Sequence, residues 1–89
     1  MNEPRDIRLK RLYMRSMRRG IKEMDLILDA YARAHLSKMT DAELDLYEAL
    51  LNENDQDLYQ WVSAQTDAPE NLKALVADIA AGATGVVRT

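Results

Sequence analysis

The chain has 89 residues, contains no cysteine and carries a formal net charge of −3. That length holds one small domain, and such a domain buries only about 60% of the surface its unfolded chain exposes, so a binding surface is easier to build than a deep catalytic cleft. Without cysteine there are no disulfides, thiolate zinc sites or cysteine nucleophiles. The charge is distributed unevenly. Residues 1–40 hold ten Lys/Arg and five Asp/Glu, whereas residues 41–89 hold two and ten, giving +5 and −8. This bipolarity is expected to guide docking to a partner. Met1 to Lys10 is charged and lacks an apolar signal core. The weakly apolar stretch Ala74 to Val87 is broken by Asp78, Gly82 and Gly85 and falls short of the roughly 20 residues of a membrane span. A cytoplasmic location is expected, or the mitochondrial matrix if the chain is eukaryotic.

Good helix formers dominate, and no alternating β-branched run reads as a strand. The periodicity predicts an all-α protein, a compact bundle of five short helices spanning residues 1–81, with a flexible C-terminal tail over 82–89. The first helix is expected from Pro4 to Arg18, with proline in its first turn and Gly20 as its left-handed stop. The second runs from Ile21 to Leu36 and carries an apolar row of Ile21, Met24, Leu28, Tyr31 and His35. Thr40-Asp41-Ala42-Glu43 is a capping box that opens the third helix, with Leu44, Tyr47 and Leu51 on one face and Leu46 and Leu50 beside them. The fourth starts at Asn54 or Asp55 and carries Leu58, Trp61 and Val62, with Trp61 expected in the core. Asp67-Ala68-Pro69-Glu70 reads as a second box-like start. The fifth helix shows Leu72, Leu75, Val76 and Ile79 at i, i+3, i+4, i+7 and is expected to stop at Gly82.

Candidate sites are few. At the first helix junction, Arg18, Arg19, Gly20, Glu23 and Asp25 crowd one turn. Capping and the helix dipole account for Gly20, Glu23 and Asp25 but leave Arg19 without a role. The first helix and its exit bear Arg5, Arg8, Lys10, Arg11, Arg15, Arg18, Arg19 and Lys22 against Asp6, a basic stripe that nucleic acid or an acidic protein surface would fit. Only Tyr13 interleaves as a stacking aromatic, and the chain as a whole is acidic. Asn52 to Asp57 is acidic but lacks the glycine and final glutamate of a calcium loop. His35 is the sole histidine and has no metal-ligand or triad partners at a useful spacing. Gly82-Ala83-Thr84-Gly85 lacks the context of a phosphate loop. No catalytic and no metal-binding residues are assigned, and an enzyme is not expected.

Arg19-Gly20-Ile21-Lys22-Glu23, an R-G-x-x-E element, is followed by Met24-Asp25, by Thr40-Asp41-Ala42-Glu43 and by Asp57-Leu58-Tyr59-Gln60-Trp61. In this order and spacing, from about Ile7 to Ile79, the chain resembles the SdhE family of succinate dehydrogenase FAD assembly factors. The resemblance implies a five-helix bundle and an assembly chaperone. Its partner would be the flavoprotein subunit of succinate dehydrogenase, with fumarate reductase as a further client. Its action would be to promote covalent attachment of FAD to a client histidine. It further implies that Arg19, Gly20 and Glu23 contact the client, with Arg18, Asp25, Asp55 and Asp57 as additional client-binding candidates. FAD would be attached to the client and not held stably here, in keeping with the missing dinucleotide fingerprint. The competing readings are a nucleic-acid-associated regulator using the basic first helix and, third, a small enzyme. No membrane insertion is expected.

Overall fold

Pro4, at φ −57° and ψ 143°, opens the first helix, α1, Arg5–Arg15. It stands at the cap, one position outside the first turn in which the sequence placed it. In the computed structural model, which describes residues 3–83, α1 ends three residues before the expected Arg18. The backbone N–H of Ser16 bonds the carbonyls of Leu12 and Tyr13, and Arg18 then adopts φ 59°. The left-handed exit thus belongs to an arginine and not to Gly20, whose φ is not positive. An L-residue in that region costs about 1–2 kcal/mol. Opposing that cost, the Arg18 N–H donates to Asp25 Oδ1 at 2.9 Å.

The remaining helices are α2, Lys22–His35; α3, Asp41–Leu51; α4, Asp55–Val62; and α5, Lys73–Ala83. Short 3-10 turns, Leu36–Lys38 and Glu70–Leu72, follow α2 and precede α5. The described residues contain five helices and no strand, so the protein is an all-α bundle. Its radius of gyration of 12.4 Å matches the roughly 12 Å of a compact chain this long. The Thr40–Glu43 capping box forms in both directions. Asn54 caps α4 through the Gln56 N–H. The box-like start at Asp67 does not form: Pro69 precedes the 3-10 turn with no side-chain cap, and the helix proper begins at Lys73. Gly82 does not stop α5, which continues to the buried Ala83. The remainder of the expected tail, residues 84–89, lies outside the described residues.

Helix α2 is central and packs against α1, α4 and α5. Its face of Met24, Ile27, Leu28, Tyr31 and Ala32 meets Leu12, Leu44, Tyr47, Leu50, Leu58, Leu72, Val76 and Ile79 in one continuous core. Burying each such aliphatic side chain contributes about 1.5–3 kcal/mol before the entropy of ordering the chain is subtracted. Trp61, expected in the core, is only partly buried and packs against its edge. His35 ends α2 exposed, its ring 4.4 Å from that of Tyr31. Ser16 is the one buried polar residue among those described. Its hydroxyl donates to Leu12 O at 2.8 Å and lies 2.6 Å from the Tyr47 hydroxyl. Serine has a single hydroxyl proton, so Tyr47 donates to Ser16. Burial pushes the Tyr47 hydroxyl up to about 12.

Candidate functional site

The chain folds one cation into the place where three helix ends meet. Arg19 leaves the α1–α2 turn with its side chain only 12% exposed. Its Nε donates to Asp55 Oδ1 at 2.7 Å, one Nη to Arg15 O at 2.9 Å and the other to Leu51 O at 3.2 Å. Arg15 and Leu51 are the last residues of α1 and α3, and Asp55 is the first of α4. The planar guanidinium therefore satisfies carbonyls that two helix C-termini leave without intrahelical partners. At the same time it neutralises a carboxylate that favours the α4 N-terminus. The second oxygen of Asp55 accepts the Gly20 N–H at 2.6 Å. A Cβ on Gly20 would stand 3.0 Å from that oxygen, so what this position requires is the missing side chain and not a left-handed backbone.

The sequence-derived site residues thus fall into three groups. Arg19 and Gly20 both donate to Asp55. Arg18 and Asp25 meet through a backbone N–H and a carboxylate, with the Arg18 side chain exposed. Glu23, in the first turn of α2, and Asp57, in the first turn of α4, are exposed and make no side-chain hydrogen bond or ion pair with any described residue. The corner accordingly combines an internally satisfied base with two helix-start carboxylates that are unpaired among the described residues.

Sequence reasoning missed the second charged feature. Arg5, Arg8, Arg11 and Arg15 project from α1 toward α3, where they meet Asp41, Asp45, Glu48 and Asn52. Arg11 also forks onto Glu3 at 2.8 and 2.9 Å. Numbering rises together on both helices along this ladder, so α1 and α3 run in the same direction. The matched spacings, 5-8-11-15 against 41-45-48-52, were visible in the sequence, but nothing local says that two segments 36 residues apart will face each other. The arginines of α1 therefore pair within the chain with acids of α3, an arrangement that the charge count alone did not reveal. The nucleic-acid reading loses the free arginine stripe on which it relied, because phosphate contacts need unpaired cations.

Hydrogen bonds from Arg11 hold the Glu48 carboxyl below its ordinary 4.5, with Arg8 adding to the effect. A carboxylate with a folded pKa below its unfolded one contributes stability above the unfolded value and loses it as pH falls through the folded one. Wild-type stability is accordingly expected to decline below about pH 4.5. Glu48→Gln should flatten that decline in urea-unfolding midpoints measured from pH 3 to 7. An unchanged acid limb in the variant would remove Glu48 from its cause.

Three further side-chain bonds lie outside the corner and the ladder: Tyr13 and Arg33 both donate to Asp29, and Tyr31 donates to Asp78 at 2.6 Å. Among the described residues no group of three or more His, Asp or Glu side chains is placed to hold a metal ion, and no helix is long and apolar enough to cross a membrane.

Fold and site together define a small helical module whose charged helix junction is locked from within and presents exposed acids outward. Residues 10–83 match the family described as flavinator of succinate dehydrogenase, and the chain belongs to that family. The curated relatives carry the name succinate dehydrogenase assembly factor 2, mitochondrial. The protein from Candida glabrata is 51% identical over 63 residues, which is 71% of this chain and 41% of that protein. The one from Saccharomyces cerevisiae (strain ATCC 204508 / S288c) is 47% identical over 62 residues, 70% of this chain and 38% of that protein. The one from Komagataella phaffii is 40% identical over 75 residues, covering 81% and 40%. The chain thus spans about two fifths of the length of these relatives.

Proposed function

We propose that this protein is an assembly chaperone that binds the flavoprotein subunit of succinate dehydrogenase and promotes covalent attachment of FAD to it. The observation that carries this reading is the family match across residues 10–83, which includes the whole charged corner. The geometry supplies a physical form for it. Arg19, Gly20 and Asp55 tie the α1–α2 turn to the start of α4, and this holds Glu23 and Asp57 outward on helix starts where a client's donors can reach them. The chemistry belongs to the client: its histidine and the flavin are brought together by holding the client in a productive conformation, which is catalysis by orientation. In this reading the factor is not itself an enzyme and keeps no FAD, and it works in the soluble compartment that houses the unassembled subunit. A fumarate reductase flavoprotein, with the same attachment chemistry, is a further client.

Co-expression tests it. A succinate dehydrogenase flavoprotein subunit is produced with and without this protein, denatured, and scored for flavin fluorescence retained on the polypeptide. A several-fold rise with the protein is expected. Equal covalent flavin in both preparations would overturn the proposal.

A further inference from the structure

On the flank of α3 away from the arginine ladder, an open groove of about 320 Å³ lies between α3 and α5. That volume is at the lower end of the range of concave binding sites, roughly 300–1,000 Å³. Tyr31, Met39, Leu46 and Leu75 give it an apolar lining, and the exposed carboxylates of Glu43 and Asp78 stand over them. Leu46 is 40% exposed, one of the few large apolar side chains that the described residues leave in water.

Both carboxylates are held in place without being neutralised. Asp78 Oδ2 accepts the Tyr31 hydroxyl at 2.6 Å, and Glu43 Oε1 accepts the Thr40 N–H at 2.8 Å. Neither has a salt-bridge partner among the described residues, in contrast to Asp41, Asp45, Glu48 and Asp55. An occupant must therefore bring an apolar group for the lining and a positive charge for the rim. A purely apolar occupant would strip water from two unpaired carboxylates at a cost, and an acidic one would be repelled. The α1 arginines of a second copy are engaged by its own α3, so a second copy would have to bring another cation, and the test below distinguishes it.

We infer that this groove is a second contact surface for the protein partner, seating a segment in which one or two apolar side chains are flanked by lysine or arginine. The inference rests on the flavoprotein-binding function proposed above and adds a surface distinct from the Arg19–Asp55 corner.

A photo-crosslinking phenylalanine analogue placed at Leu46, and in a separate chain at the exposed Lys22 near the corner, tests it with the co-expressed flavoprotein. The expected result is a crosslink from position 46 to a flavoprotein segment bearing Lys or Arg within about one helical turn of an apolar residue. A crosslink from 46 to a neutral or acidic segment, or to a second copy, overturns the groove's occupant. So does silence at 46 while position 22 crosslinks, a result that leaves the flavoprotein function standing. Silence at both positions removes the partner itself and the groove proposal with it. The double variant Glu43→Gln/Asp78→Asn keeps acceptors for Thr40 and Tyr31 but removes both charges. It is expected to bind the flavoprotein about tenfold more weakly at low salt and like wild type at high salt; equal binding at low salt would leave the carboxylates without a role.

Discussion

Replacing Arg19 by alanine is expected to destabilise the protein by about 2–4 kcal/mol, a large part of the roughly 5–15 kcal/mol available to a small domain. The substitution strands the Asp55 carboxylate, itself only 21% exposed, and uncovers the carbonyls of Arg15 and Leu51 at two helix ends. Breaking one side of a buried pair leaves an uncompensated charge, and partial access to water places this case at the lower end of such losses. Arg19→Lys should recover only part of the stability, because an ammonium cannot reproduce the fork that reaches three partners. Urea unfolding of Arg19→Ala, Asp55→Ala and the double variant measures the coupling directly. A double variant hardly worse than either single one is the expected pattern. Additive losses would mean that the two side chains do not act as a pair. Gly20→Val should fail in the same direction, since its side chain would displace the Asp55 oxygen that now lies 3.0 Å from the position of a Cβ. Loss of activity in any variant of Arg19, Gly20 or Asp55 must consequently be read through the folded fraction before it is read as lost client contact.

The helices were legible because their signals are local. The Thr40–Glu43 box and the start of α4 at Asn54–Asp55 form as read, whereas of the Leu72–Ile79 row Leu72 lies in the 3-10 turn and only Leu75, Val76 and Ile79 lie in α5. The helix exits were not legible. The glycine rule placed stops at Gly20 and Gly82, yet the left-handed residues are Arg18 and Ala64, and α5 runs through Gly82. Tertiary bonds outweigh the local preference at Arg18, where Asp25 takes the displaced N–H. The sequence left Arg19 without a role because its partners are distant: it bonds the last carbonyls of α1 and α3 and the first residue of α4, a structural task that local capping rules could not show. Its partner Asp55 was named from the family resemblance, while the contact itself, spanning 36 residues, could come only from the fold. The α1–α3 ladder was hidden for the same reason. A charge count separates the halves of the chain but does not say whether they meet each other or a partner.

Glu23→Ala carries the opposite expectation: stability nearly intact and function lost. Glu23 is exposed, bonds no described side chain, and supports the fold only through its place in the first turn of α2. That placement is worth about 0.3–1 kcal/mol. If Glu23 meets a client cation, truncating it leaves that cation unpaired in the interface, a loss of about 2–5 kcal/mol, or roughly 30-fold or more in affinity. Covalent flavin on the co-expressed flavoprotein should then fall toward the level without the factor, while circular dichroism and the urea midpoint stay close to wild type. Glu23→Gln separates charge from shape: it keeps an acceptor and should recover only a minor part of the activity. Glu23→Arg should be worse than alanine, because it sets like charges against each other. Full activity in the alanine variant would take Glu23 out of the contact and leave Asp57 and the side chains of Arg18 and Lys22 among the exposed charges of the corner. Coincident loss of stability and activity would instead return Glu23 to the same structural role as Arg19. The contrast between neighbours four residues apart is therefore the decisive comparison, since one is held by its own fold and the other bonds no described side chain.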